Sequence, residues 1–82
     1  MKTIEDKRTG RKFKPMGSAP SISSALSMIC HYFFIDPLTS GINAIECGSY
    51  GQKKLYQVGT STMTLDIKIM NRGNRYLIGW EA

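Results

Sequence analysis

Residues 62–81, TMTLDIKIMNRGNRYLIGWE, contain two runs of alternating apolar side chains on either side of a polar segment at residues 71–74. Such alternation is typical of β-strands with one buried face. A turn centred on residues 72–73 pairs positions whose numbers sum to 145. This register sets three apolar pairs opposite each other: Ile69 with Tyr76, Ile67 with Ile78, and Leu65 with Trp80. The stretch therefore predicts an antiparallel hairpin.

Two earlier turns extend this hairpin. A turn at residues 60–61 joins it to a strand over residues 53–58, and a type II′ turn that begins with Gly51 joins that strand to another over residues 43–49. All three registers place the same set of side chains on one buried face: Ile45, Cys47, Tyr56, Val58, Met63, Leu65, Ile67, Ile69, Tyr76, Ile78 and Trp80. The agreement predicts a four-stranded antiparallel meander. Strands 43–49 and 75–81 are its edges unless residues 11–14 pair with one of them.

A helix that could cover this face is predicted over residues 18–34. Its apolar stripe consists of Ile22, Ala25, Leu26, Ile29 and Phe33. Ser18 or Ser21 can cap the first turn, and Pro37 requires the helix to end near residue 34 or 35. The sequence thus predicts a two-layer α+β fold, in which one helix packs on a four-stranded antiparallel meander.

The first 17 residues differ from the rest in charge. They carry six of the eleven lysines and arginines but only two acidic residues, so that +4 of the net charge of +5 lies there. Thr9-Gly10 is typical of a hairpin turn, with short arms around Ile4 and Phe13; a flexible basic arm is the alternative. We therefore divide the chain into a basic N-terminal segment, residues 1–17, and a single α+β domain, residues 18–82.

Catalytic and cofactor chemistry find no support in the sequence. Cys30, His31, Asp36 and Cys47 have no recognised metal-ligand spacing, and both cysteines are predicted to be reduced and buried, with a disulfide between them as the alternative. No phosphate loop, dinucleotide fingerprint or triad order appears. We predict a protein that is not an enzyme and binds neither metal nor cofactor. With no membrane-spanning run and no signal peptide, we expect a cytoplasmic location.

Binding is the function class that remains. The exposed sheet face is predicted to carry three apolar side chains, and lysines and arginines cluster near the turns and in the N-terminal segment. The candidate partner-binding residues are Lys7, Arg8, Arg11, Lys12, Lys14, Lys53, Lys54, Leu55, Lys68, Met70, Arg72, Arg75 and Leu77. The apolar members favour a protein partner, whereas the basic members favour the phosphates of a nucleic acid.

Two functions follow from this surface. The first is a small regulator or inhibitor that docks on a protein or nucleoprotein complex, in the style of the effectors that phages and other mobile elements encode. The second is direct nucleic-acid binding through the basic N-terminal segment and the cations near the turns. An uncovered sheet edge also allows a homodimer besides the monomer.

Overall fold

Six strands and one short helix follow each other along the chain in the computed structural model, which describes residues 2–82. Met1, the first residue of the predicted N-terminal segment, lies outside the described residues. The elements are β1 Ile4–Asp6, β2 Arg11–Ala19, α1 Ile22–Phe33, β3 Asn43–Tyr50, β4 Lys53–Gly59, β5 Thr64–Asn71 and β6 Tyr76–Glu81. All neighbouring strands are antiparallel, in the order β1-β2-β6-β5-β4-β3.

The predicted fold, a four-stranded meander covered by a helix, is wrong. The protein is a six-stranded curled sheet, a half-barrel, in which the helix is a minor element. The difference arises because β2 pairs with β6 from Phe13 opposite Glu81 to Ala19 opposite Tyr76. β6 is therefore an inner strand, and the edges are β1 and β3. The boundary predicted at residue 17 falls inside β2.

The helix begins at Ile22, four residues later than predicted, because Ser18 and Ala19 belong to β2. The Ser21 side chain accepts a hydrogen bond from the Ser24 N–H at 3.1 Å and caps the first turn, as predicted. Ala25 and Ile29 of α1 pack against one side of the sheet, where the buried cluster also contains Ala19, Val58, Ile67, Ile69 and Ile78. This cluster forms the larger part of the core.

A second core lies on the opposite side of the sheet. Phe13, Tyr50, Leu55, Met70 and Leu77 are buried together there. The prediction that Leu55, Met70 and Leu77 lie on an exposed face is therefore wrong. The curl of the half-barrel causes the difference, because it encloses the concave side of the sheet as well as the side that carries the helix.

Four side chains of the predicted buried face are instead exposed: Ile45, Cys47, Met63 and Trp80. The cause in β3 is an irregularity between Glu46 and Gly48. Cys47 is an extra residue in the strand, and because of it the side chains of residues 43–46 point to the opposite face of the sheet from the one predicted. Ala44 therefore packs against the core in place of Ile45. Cys47 is consequently an exposed free thiol, whereas Cys30 is free and buried.

The three predicted registers have different outcomes. The turn at Gly51 is confirmed: residues 48–50 pair with residues 53–55 as predicted, and Gly51 has a φ of +64°. The β5–β6 hairpin is shifted by two residues, with Ile69 opposite Ile78, because the turn places Gly73 at φ +94°. The β4–β5 register is also wrong, with Tyr56 opposite Ile69.

Candidate anion-binding cleft

The most basic concavity of the molecule lies at one end of the half-barrel, between the segment that precedes β1 and the β5–β6 turn. It has a volume of about 690 Å³ and is lined by Lys2, Thr3, Ile4, Pro15, Ser18, Arg72, Arg75 and Leu77. A second concavity of about 870 Å³ adjoins it, shares Arg72 and adds Lys53. We call the two together the basic cleft. No acidic residue lines either part.

Local structure fixes the two arginines of the basic cleft. The Arg72 N–H donates to the Arg75 carbonyl at 2.8 Å, and the Gly73 N–H donates to Asn71 Oδ1 at 2.7 Å, which closes the turn. The Arg75 guanidinium donates through Nη2 to Ser18 Oγ at 2.9 Å. This bond leaves the other guanidinium N–H groups available, and a guanidinium has five in all. Ser18 therefore orients the Arg75 guanidinium before any ligand arrives, and the turn fixes the backbone at Arg72.

The charges of the basic cleft are not compensated within the described part of the chain. Lys2, Lys53, Arg72 and Arg75 form none of the three ion pairs that residues 2–82 contain. Those pairs involve Arg11 and Lys68, both with Glu81, and Lys54, which lies 3.7 Å from Glu46. Four cations without a counter-charge make this end of the half-barrel electropositive.

The predicted set of binding residues divides into groups in the structure. Lys53, Arg72 and Arg75 come together in the basic cleft. Lys7 and Arg8 lie in the β1–β2 turn, which at about 3.3 Å per residue of β2 is roughly 25 Å from Ser18, the partner of Arg75. Leu77 is buried in the second core and lines the basic cleft. The other members lie elsewhere: Arg11 and Lys68 beside Glu81, Lys12, Lys14 and Lys54 exposed, and Leu55 and Met70 in the second core.

Sequence reasoning missed two residues of the basic cleft, Lys2 and Ser18. The β1–β2 register, with Ile4 opposite Phe13, places Lys2 beyond the start of β1 and close to Pro15. A two-residue turn at Thr9-Gly10 would pair positions whose numbers sum to 19, whereas the observed pairs sum to 17, so this turn signal does not give the register. Nor could it have shown that β2 continues to Ser18 and there meets Leu77 of β6.

A second polar cluster joins β2, β3, β5 and β6 across the half-barrel, and its Tyr50 also lines the second part of the basic cleft. Glu81 of β6 accepts hydrogen bonds from Arg11 Nε at 2.7 Å and Nη2 at 2.8 Å, from the Tyr50 hydroxyl at 2.6 Å, and from Lys68 Nζ. The Arg11 guanidinium also lies 5.4 Å from the centre of the Tyr50 ring. Three strands separate β2 from β3 in the sheet, so these contacts require the curl. The cluster is a structural clasp, since Arg11, Tyr50 and Lys68 all donate to the one Glu81 carboxylate.

The clasp changes the acidity of its members. Burial by itself would raise the pKa of the Glu81 carboxyl, but the hydrogen bonds from Arg11, Lys68 and Tyr50 together outweigh it and lower that pKa to about 2. Burial and the hydrogen bond to Glu81 raise the pKa of the Tyr50 hydroxyl. Glu81 therefore stays ionised at neutral pH.

We expect the clasp to make the free energy of unfolding depend on pH. The Glu81 pKa is about 2 in the folded protein, below its usual 4.5, so the contribution is complete above pH 4.5 and is lost as the pH falls to about 2. At about 1.4 kcal/mol per pKa unit, the loss is at most about 3 kcal/mol. Urea unfolding of wild type and Glu81→Gln at pH 7, 4 and 3 measures it. The variant should be less stable at pH 7 and should lack this part of the pH dependence; equal pH dependence in both proteins would contradict the assignment.

Residues 2–82 show neither a metal site nor a membrane-spanning helix. No three or more His, Cys, Asp or Glu side chains gather as a metal site. His31 is exposed at the end of α1. No helix in this range has the length and apolar character needed to cross a bilayer.

Comparison of the chain with protein-family models, with curated proteins and with solved structures finds no match.

Proposed function

We propose that the protein is a non-catalytic binding protein whose basic cleft holds the phosphate backbone of a nucleic acid, either free or exposed in a nucleoprotein complex. The observation that carries this function is the convergence of Lys2, Arg72 and Arg75 on one cleft without an acidic residue, continued by Lys53. A regulator of a nucleoprotein complex could use the same contact.

Phosphate is the anion that best suits these side chains. A guanidinium presents a planar fork of donors that can bind two phosphate oxygens at once, and Arg75 is already oriented by Ser18. The backbone of a nucleic acid repeats one charge per nucleotide, so a row of several cations gains more from it than from a single small anion. Release of condensed counterions would then supply most of the affinity.

The basic cleft is better suited to the backbone than to the bases. Tyr50 is its only aromatic lining residue, and that ring is buried in the second core. Stacking on exposed aromatic rings is the usual means of holding unpaired bases. We therefore expect binding with little dependence on base sequence.

The alternative, docking on a protein through the sheet face, loses its predicted surface. Leu55 and Met70 are completely buried in the second core, and Leu77, also in that core, is only 7% exposed and lies at the wall of the basic cleft. A regulator or inhibitor would consequently act on a nucleoprotein complex, and it would contact the nucleic acid of that complex.

Paired charge reversals test the function. Arg72→Glu with Arg75→Glu should weaken binding to a labelled 20-base-pair duplex by about 100-fold or more, because each charged hydrogen bond contributes about 1.5–3 kcal/mol. Lys7→Glu with Arg8→Glu is the matched control: it changes the net charge by the same four units, and all four side chains are exposed. Fluorescence anisotropy at 100 mM salt measures both.

The control should lose only several-fold, since Lys7 and Arg8 act at a distance. Equal losses in the two double variants would show that net charge, not the basic cleft, governs binding. An unchanged affinity in Arg72→Glu/Arg75→Glu would overturn the function outright. Circular dichroism should show both variants folded, because the hydrogen bond from Arg72 to Arg75 in the turn joins backbone atoms.

A further inference from the structure

An apolar surface without lysine or arginine lies around the end of α1, on the other side of the sheet from the basic cleft; Asp36, in the loop between Phe34 and Leu38, is the acidic residue beside it. Its exposed members are Met16 of β2, Met28, Tyr32 and Phe33 of α1, and Phe34 and Leu38 of the following loop. We call it the aromatic patch. α1 itself contains no Asp, Glu, Lys or Arg. An apolar surface of this kind on a small protein usually marks an interaction site.

Phe34 is the most unusual residue of the aromatic patch. Its backbone is left-handed, with φ +57° and ψ +43°, and it is the one non-glycine residue with positive φ among residues 2–82. The Phe34 and Ile35 N–H groups both donate to the Cys30 carbonyl, which holds Phe34 as the helix C-cap. A bulky residue is disfavoured in this conformation. The ring is nevertheless 96% exposed, so no packing contact within residues 2–82 compensates for this unfavourable backbone conformation.

A groove that could accept such a ring lies next to it. The groove is shallow; the buried Ile29 and Ile78 lie at its floor, and the exposed Met16, Met28 and Tyr32 lie at its rim. Its lining is almost entirely apolar, so that the edge of a single aromatic ring is a suitable occupant. The protein thus presents a projecting ring and an apolar groove on one surface.

The area of the aromatic patch is large enough for a dimer interface. The three aromatic residues are 69%, 46% and 96% exposed, which at roughly 200 Å² each gives about 400 Å². Leu38, Met16 and Met28 are 91%, 39% and 43% exposed, and side chains of similar size bring the total to roughly 700 Å². One partner of a standard interface buries about 800 Å². The aromatic patch would supply most of that area, and the atoms around it would supply the rest.

Charge favours a second copy of this chain over an acidic partner. An acidic protein would be drawn to the basic cleft, not to a surface without cations. Two copies of the chain, each with a net charge of +5, can approach closely only where neither presents lysine or arginine, and the aromatic patch meets this condition. We propose that the protein forms a two-fold symmetric homodimer in which Phe34 of each copy enters the groove of the other.

Phe34→Asn separates this dimer from the fold. Asparagine accepts the left-handed backbone more readily than phenylalanine, so the variant monomer should be at least as stable as wild type. Each lost ring should cost about 30-fold in affinity, and the symmetric dimer about a thousandfold. Sedimentation equilibrium from 1 to 500 µM should show wild-type dimers and monomeric Phe34→Asn. The control Ile45→Ser removes an exposed apolar side chain on β3 and should leave the dimer intact.

A mixing experiment tests the reciprocal contact. Met28→Glu places a charge at the groove and should also give monomers. Mixed with Phe34→Asn it should form a heterodimer, because the intact Phe34 of one variant meets the intact groove of the other. Energy transfer between labelled variants should therefore appear in the mixture and be absent from either variant alone. Absence of transfer in the mixture would overturn the reciprocal contact.

Salt provides a further readout that distinguishes the dimer from nucleic-acid binding. The dimer should tighten as salt increases, since salt screens the repulsion between two positive copies and hardly affects apolar burial, whereas phosphate binding should weaken. A wild-type protein that is monomeric at 500 µM, or a Phe34→Asn variant that dimerises as well as wild type, would overturn the proposed dimer. Dimerisation that survives Phe34→Asn and is lost in Ile45→Pro would assign the contact to the edge of β3 instead.

Discussion

Gly79→Ala should abolish folding. Gly79 is buried in β6 where β2 crosses at Pro15, beside the irregularity between Pro15 and Gly17. A methyl group at this position would lie 2.8 Å from the Lys14 carbonyl carbon, 2.9 Å from Pro15 Cα and closer still to the Lys14 carbonyl oxygen. All three are backbone atoms, so relief requires β2 to move away from β6. Such a movement would separate Phe13 and Ala19 from both cores.

Gly48→Ala is the matched control for this substitution. Gly48 also lies in a strand, but a methyl group there would meet only Arg11 Nη1, at 3.5 Å, which is ordinary contact. Its stability should change by no more than about 1 kcal/mol. Thermal unfolding followed by circular dichroism compares the two variants. A cooperative transition of Gly79→Ala near the wild-type midpoint would contradict the close packing of β2 on β6.

Phe13→Ala should lower the free energy of unfolding by about 3–5 kcal/mol. Phe13 is completely buried and is the one large side chain that β2 contributes to the second core. A protein of this size has a total stability of roughly 4–12 kcal/mol. The variant should therefore be partly unfolded at 37 °C, and urea titration at 10 °C would give its remaining stability.

Trp80→Ala provides the comparison for Phe13. The sequence places Trp80 on the buried face, where the loss of its side chain would cost several kcal/mol. In the structure Trp80 is 40% exposed and belongs to neither buried cluster. We expect a loss of no more than about 2 kcal/mol. If Trp80→Ala proved as destabilising as Phe13→Ala, the two-core arrangement would be wrong.

The period-two pattern of the sequence identifies which residues share a face but not their register. Shifting the β5–β6 pairing by two residues, from Ile67 opposite Ile78 to Ile69 opposite Ile78, leaves every side chain on its original side. Only the conformation of the turn distinguishes the two registers, and here Gly73 takes the first central position. The strands of this hairpin were therefore predictable, whereas its register depended on the turn.

Alternation alone could not show that the sheet has a core on each of its two faces. Ile69-Met70 and Leu77-Ile78 are adjacent apolar pairs, a departure from alternation that indicates burial on both faces of the sheet. Strict alternation assigns Met70 and Leu77, one residue of each pair, to an exposed face, and that assignment is incorrect. The bulge at Cys47 has no clear signal in the sequence, and it reverses the facing of Ile45.

The β4–β5 register shows a different limit. Between Gln57 and Gly59 the ladder skips residues of β5, and the Gln57 side chain fills the gap by donating from Nε2 to the Leu65 carbonyl at 2.6 Å and to the Ile67 carbonyl at 3.3 Å. A glutamine in an otherwise regular strand gives no indication of this role. Only the tertiary structure shows that the Gln57 side chain takes the place of the missing ladder bonds.

The basic cleft was predictable only in part. Lys53, Arg72 and Arg75 were recognised because they lie near hairpin turns. Their separation from Lys7 and Arg8 follows from the length of β2, which the sequence does not reveal because Pro15 interrupts its pattern. The charge of the N-terminal segment is therefore distributed over several surfaces of the molecule.

The salt dependence of nucleic-acid binding tests the basic cleft most directly. With four cations in contact, log K should fall with log salt at a slope of about −3 to −4 on duplex DNA. Arg72→Ala with Arg75→Ala should reduce the size of that slope by about two, and Lys7→Ala with Arg8→Ala should leave it unchanged. Slopes that change equally in the two double variants, or that change only in the second, would contradict the assignment of phosphate binding to this cleft.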